Sequence, residues 1–433
     1  MQEKKEMNKK VKTILVLVII LLLIITGVYA IIVIKEKNDG TGNNLVSGDM
    51  TEPVQNEVSG TQTNEEQSNY NFTMQFLKLE NNKKNLVYSP LSIKYALKML
   101  NDGAEGNTKA QIENVIGNLS LSKYNNIDNI LSLANGVYIK DTYSKNIKES
   151  YKNILEERYN AEINYDSFNN ATNVNNWIEN KTLGIIKNML EDSSVQDAKM
   201  LLINALAIDM EWKEKFDESD TYGENFYLED GTKMEASMMH KQTTDNSTSY
   251  YKDENVIALS MDLKEYDGNT LEFIAIMPKN DLQEYINTLT NEELDNILNN
   301  LTPASNTEDG LDISIPRFSY DYNLKLKSDL INMGITDAFN SELANFSNMS
   351  TEELYVSDAL HKADIDFTEK GIKAAAATVI VMKEMAILED ETNPIEIKID
   401  NPFMYLIRDK HTGETWFVGT VYEPNSWQED IKS

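Results

Sequence analysis

The 433-residue chain contains no cysteine, which excludes disulfides, thiolate nucleophiles, cysteine-ligated metals and lipidated cysteines. Its stability must come from packing. Histidine is scarce: His240, His361 and His411 make up the complement, and none sits in an HExxH or paired spacing suited to a metal. No GxSxG elbow occurs. Gly40-Thr41-Gly42 has no helical pattern after it that would make a phosphate loop. Acidic runs such as Glu389-Asp390-Glu391 are present, but among 70 carboxylates no pair stands out as a glycosidase couple. The sequence therefore argues against an enzyme and implies neither cofactor nor metal. Basic residues are also in deficit, with 40 Lys and Arg giving a formal charge of −30. Nucleic acid and anionic lipid headgroups are unsuitable partners for such a surface.

Ile14 to Ile34 forms an apolar run interrupted by Thr26, Gly27 and Tyr29. As a helix it would span about 31 Å, the thickness of a hydrocarbon core. Lys4, Lys5, Lys9, Lys10 and Lys12 precede it, so residues 1–13 are expected in the cytoplasm and the chain beyond residue 34 outside. A cleaved signal peptide ending at Val28-Tyr29-Ala30 competes with this signal-anchor, although Ile31 to Ile34 are superfluous for one. Either reading exports the protein, to a membrane-held or a secreted state. Residues 35–69, rich in Gly, Asn, Ser, Thr and Glu, read as a flexible tether. One large domain is expected over 70–426, with a tail at 427–433. An exported chain without disulfides and with a bare anchor suggests a bacterium.

Within the domain, Ser89-Pro90 fits an N-cap followed by proline in the first turn, with Gly103 as a stop. Val174 to Leu190 is amphipathic at helical spacing. Strand signals then take over at Lys199–Met210, Val256–Leu263, Thr270–Met277, Leu311–Ser319 and Asn401–Val421. Helices first and strands later indicate an α+β fold.

The most informative stretch is Thr368 to Met382, TEKGIKAAAATVIVM. Gly371 gives a pivot, Ala374, Ala375, Ala376 and Ala377 carry little bulk, and Thr378 to Val381 are β-branched. As a strand it would alternate Ile372, Ala374, Ala376 and Thr378 on one side with Lys373, Ala375, Ala377 and Val379 on the other. Four alanines equally suit a helix, and local pattern alone leaves both open. In context the segment resembles the hinge and reactive loop of serpins. LYVSDALHKADIDFTEKG (354–371) leads into it, and NPFMYLIRDKHTGETWFVGTV (401–421) resembles the closing serpin hairpin. NLVYSPLSIKYALKMLNDGAEGNT (85–108), VNNWIENKTLGIIKNML (174–190), LLINALAIDMEWKEKFD (201–217), ISIPRF (313–318) and GITDAFN (334–340) keep the same family order.

This resemblance implies a large central mixed sheet, two smaller sheets, eight or nine helices and an exposed loop over about 369–394. It implies inhibition by a suicide-substrate route, in which a protease cuts the loop, is held as an acyl-enzyme, and is trapped when the loop inserts into the sheet. The expected partner is an extracellular serine protease, with a cysteine protease as second candidate, and the expected state is a monomer. The family register puts the reactive bond at Met385-Ala386, suited to elastase-, chymotrypsin- or subtilisin-like enzymes, with Lys383 and Glu384 as alternatives. A non-inhibitory binding or chaperone-like serpin is the competing function. Ile372 and Lys373 depart from the small hydroxyl residue and glutamate usual there. The resemblance makes Ser89, Ser92, Asn204 and His361 a gate beneath the sheet, with an Asn204–His361 hydrogen bond. It makes Trp212, Arg317 and Glu369 the entry point, with Arg317 and Glu369 paired.

Overall fold

A computed structural model describes residues 66–117, 121–373 and 393–430. The sequence-predicted anchor at 14–34, the alanine run at 374–377, Thr378 and the bond at Met385-Ala386 with its alternatives Lys383 and Glu384 lie outside these residues. Among the described residues no helix is long and apolar enough to cross a membrane.

The strands in chain order are β1 (Leu86–Tyr88), β2 (Leu131–Lys140), β3 (Glu162–Asp166), β4 (Met200–Glu211), β5 (Thr221–Tyr227) and β6 (Lys233–Thr243). They continue as β7 (Thr248–Lys252), β8 (Val256–Asp262), β9 (Leu271–Pro278), β10 (Thr302–Pro303), β11 (Leu311–Pro316) and β12 (Phe318–Lys325). The series ends with β13 (Leu360–Thr368), β14 (Gly371–Lys373), β15 (Ile395–Lys398), β16 (Phe403–Asp409) and β17 (Thr415–Val421). They build three sheets, in the orders β1-β17-β16-β9-β8-β7-β10, β15-β11-β6-β5 and β12-β13-β14-β4-β2-β3. Ten α-helices, six of them before β4, stand among the described residues, more than the eight or nine expected; with three sheets beside them this is the α+β architecture that the resemblance implies.

Local sequence explains most boundaries. The helix Pro90–Gly103 begins as expected, with Ser89 as N-cap accepting from the Ser92 amide and proline in the first turn. The amphipathic segment from Val174 yields a shorter helix, Thr172–Lys181. Leu183 and Gly184 take positive φ and end it. The run Leu311–Ser319, expected as one strand, breaks at Arg317 into β11 and β12, which belong to different sheets. Burial on both sides of the break (Ile315 and Phe318 are both at 0% exposure) hides the corner in the sequence. The first helix among the described residues, Glu66–Glu80, overlaps the stretch read as tether. The tail likewise contains a short helix, Trp427–Asp430.

Apolar packing follows the sheets. β9 is buried along its whole length, as a strand covered on both faces must be. Phe367 packs against Trp212, Phe273 and Phe318, and Phe273 against Trp212 and Phe318, with ring centroids 4.5 to 6.4 Å apart, joining the seven-stranded sheet to the upper end of the six-stranded one. Aromatic contacts at such spacing add about 0.5–1.5 kcal/mol each beyond area burial. They make the top of that sheet the rigid frame of the site.

Candidate functional site

β14 is three residues long and lies between β13 and β4, antiparallel to both. Gly371 pairs with Thr368 and Glu211, Ile372 with Phe367 and Met210, and Lys373 with Asp366 and Asp209. β13 and β4 are therefore parallel to each other, joined at their upper ends by this insert. Below it, among the described residues, neither β13 from Leu360 to Ile365 nor β4 from Met200 to Ile208 has a strand partner on the facing edge. Unpaired strand edges attract a further strand.

The sequence at the insert fits its position. Gly371 has φ +158°, and a Cβ there would lie 2.1 Å from the Met210 carbonyl oxygen. Only glycine lets the two flanking backbones approach so closely. Ile372 is 2% exposed. It lines a small void of about 20 Å³ together with Leu206, Ile208, Ile365, Ile407 and Phe417. A larger cavity of about 390 Å³ opens lower down, lined among others by Ser92, Leu202, Asn204, Leu354, Leu360 and His361. The two voids mark out one line between β4 and β13.

At the upper end, Glu369 and Lys370 form the turn between β13 and β14. The Trp212 amide donates to Lys370 O at 2.9 Å and the Phe216 amide to Glu369 O at 3.1 Å. Trp212 Nε1 donates to Thr368 O at 2.8 Å. Glu369 Oε1 accepts from Thr221 Oγ1 at 2.6 Å, and its other oxygen stands 3.6 Å from Arg317 Nε. Arg317 and Glu369 are both buried, so this pair is screened far less than a surface ion pair. The sequence-predicted trio Trp212, Arg317 and Glu369 is thus brought together. Asp366, beside the same turn, has its carboxyl pushed up to about 6 by burial, against the opposing pull of Arg317.

At the lower end the expected group also converges, with one correction. The Ser89 amide donates to His361 Nε2 at 3.0 Å, and Ser92 Oγ donates to the Asn204 carbonyl at 3.4 Å. The expected Asn204–His361 hydrogen bond is not formed. Asn204 Nδ2 instead donates to Asn135 Oδ1 at 2.8 Å, and Asn204 Oδ1 is buried with no partner. Asn204 and His361 both line the larger cavity, so the space between their strands separates them. Because His361 Nε2 accepts a hydrogen bond, the neutral ring carries its proton on Nδ1. Burial holds its pKa down, to about 4.

Asn135, Thr221 and Asp430 were missed from sequence. Asn135 had a readable signal, an amide inside the apolar run LSLANGVYIK, which must find partners when buried. Thr221 and Asp430 had none, since their roles arise from strands remote in sequence. Among the described residues no cluster of three or more His, Cys, Asp or Glu could hold a metal.

Comparison with known proteins gives the same picture. The family model described as serpin (serine protease inhibitor) matches residues 67–424. An uncharacterised serpin-like protein of Methanosarcina acetivorans is 30% identical over 369 residues, covering 80% of this chain and 83% of its own length. Human Serpin B4 is 29% identical, with 82% and 97% covered. The crystal structure of tengpin, a thermophilic serpin, in its native state superposes with a TM-score of 0.68 at 29% identity, covering 85% of this chain and 97% of tengpin. The family's members are mostly protease inhibitors and not enzymes. The match takes in all three sheets and both flanks of the β14 insert, and on that breadth this chain belongs to the serpin family.

Proposed function

We propose that this protein is an extracellular inhibitor of serine proteases that acts as a suicide substrate. The observation that carries the reading is β14, held on both sides between β4 and β13 above edges left open among the described residues. A protease cutting after Met385 would acylate its nucleophile with that residue. The freed loop would then continue β14 downward as a full strand, dragging the enzyme with it. Alternation from the buried Ile372 puts Ala374 and Ala376 inward next. Their small side chains suit the narrow void beneath Ile372, and the larger cavity lies where later residues would arrive. The driving force is the free energy withheld while the strand edges stay unpaired, a kinetically trapped state.

Met385 before Ala386 favours elastase-, chymotrypsin- or subtilisin-like targets, with Lys383 and Glu384 as alternative cut sites. The apolar run 14–34 would hold the inhibitor at the outer face of a bacterial membrane, shielding the cell surface from proteolysis. The test uses residues 62–433, which form one compact unit, mixed with subtilisin, elastase, chymotrypsin and trypsin. A denaturant-stable adduct and a released peptide beginning at Ala386 are expected. Clean cleavage without adduct would replace this reading with a substrate-like or binding serpin. Membrane retention of the full chain, lost when 14–34 are deleted, tests the anchor.

A further inference from the structure

Residues 425–430 lie beyond the matched family segment, yet they are built into the upper end of the slot that holds β14. The Asn425 amide donates to Arg317 O at 3.0 Å, and Asn425 O accepts from the Ser237 amide at 3.1 Å. Asn425 Oδ1 takes the Ser319 amide at 2.9 Å. The short helix after it returns Asp430 to the same spot. Asp430 Oδ2 accepts from the fully buried Ser237 at 2.5 Å and stands 3.5 Å from Arg317 Nη1. Trp427 covers β5 so closely that a Cβ at Gly223 would fall 2.6 Å from its ring. This segment therefore ties together β6, the corner between β11 and β12, and β5, around a single guanidinium.

That guanidinium also faces Glu369. Any widening of the slot must move the Glu369–Lys370 turn relative to the end of β4, whose Trp212 and Phe216 amides bond its carbonyls. The turn's carboxylate is held by Thr221 and Arg317, and Arg317 in turn is held by Asp430. Two ion pairs thus run from the tail to the hinge through Arg317, in a buried setting where charges are screened less than at the surface.

We propose that residues 425–430 form a clamp on the slot, and that Asp430 is a positioning residue that slows strand insertion by fixing Arg317 against Glu369. The inference rests on the reading that β14 extends into the slot. It does not require that any protease be trapped. In the clamped state Arg317 has carboxylates on two sides and cannot swing away from the turn. Without the Asp430 charge the guanidinium has one fixed neighbour fewer, and the turn can move.

The test measures uptake of a synthetic peptide with the sequence of residues 371–382 by the full chain, followed on native gels and by the accompanying rise in melting temperature. Asp430→Asn should take up peptide at least fivefold faster than the unaltered chain, and Asp430→Glu should return the rate most of the way. Trp427→Ala, which loosens the helix without touching a charge, should act in the same direction. In a Glu369→Gln background Asp430→Asn should add nothing, because the route through Arg317 is already cut. Unchanged uptake in Asp430→Asn, or the same acceleration in the Glu369→Gln background, overturns the clamp. Normal uptake by a chain that forms no protease adduct overturns the inhibitory reading and leaves the clamp standing. No uptake by any variant below its unfolding temperature overturns both.

Discussion

Ile372→Glu puts a carboxylate at the first inserted position, and the surroundings allow its effect to be worked out. Ile372 is almost fully buried, and burying such a side chain stabilises by about 1.5–3 kcal/mol. The substitution forfeits this. It also asks a carboxylate to enter an apolar niche formed by Leu206, Ile208, Ile365 and Phe417, with Asp364 on the same void. An unpaired buried charge costs several kcal/mol, or the group is neutralised by a raised pKa at comparable cost. β14 should leave the sheet, and insertion after cleavage should meet this barrier first. If only about 3 kcal/mol of it appears in the activation free energy, insertion slows roughly 100-fold. Hydrolysis of the acyl-enzyme, chemistry belonging to the protease, keeps its pace. The balance between trapping and turnover should therefore swing to turnover. On a denaturing gel with subtilisin the adduct should give way to cleaved inhibitor, with at least tenfold more inhibitor consumed per protease inactivated. Ile372→Thr, smaller and uncharged, should keep the adduct. An unchanged adduct fraction in Ile372→Glu would refute the idea that this position must enter the sheet.

Gly371→Ala should disturb the same strand by sterics alone, since its Cβ has no room beside Met210 O. Hydrogen exchange should show lost protection at Ile372 and at the facing positions of β4, and unchanged protection would count against the close approach. His361 gives a pH dependence. Its pKa is lower in the fold, about 4, than the ordinary 6.5, so the native state binds fewer protons than the unfolded chain. Stability is whole above about pH 6.5 and falls as pH drops toward 4, by at most about 3 kcal/mol. Because the Asp366 carboxyl, pushed up to about 6 by burial, acts with the opposite sign over the same range, the check is the difference in urea midpoint between the unaltered chain and His361→Gln, which should carry that fall between pH 8 and 4. Glu369→Lys reverses one charge of the buried pair with Arg317. It should open the slot and promote strand exchange between molecules, seen as a ladder on native gels after mild warming. A variant that stays monomeric would contradict the role given to the pair.

Much of the site could be read from the chain because its demands are local. A tight turn needs Gly371, a buried inward position needs an apolar residue at 372, and the helix after Ser89 needs a cap and a proline. These requirements act within a few residues. The corner at Arg317 was not legible, because Ile313, Ile315 and Phe318 are buried and give one continuous apolar signal across two sheets. The Asn204–His361 bond was expected from resemblance and is absent because β4 and β13 stand apart at that level. Nothing in a linear pattern reports the width of a gap between strands.

Periodicity and caps in the sequence alone indicated an α+β fold, because they are encoded by neighbours along the chain, whereas the residues lining the slot were named through the resemblance to serpins. Composition also fixed what the protein must do without, disulfides above all. Tertiary structure decided which polar side chains meet. Asp430 reaches Arg317 across 113 residues and Thr221 reaches Glu369 across 148. Such contacts depend on how three sheets pack, which depends on the whole core at once.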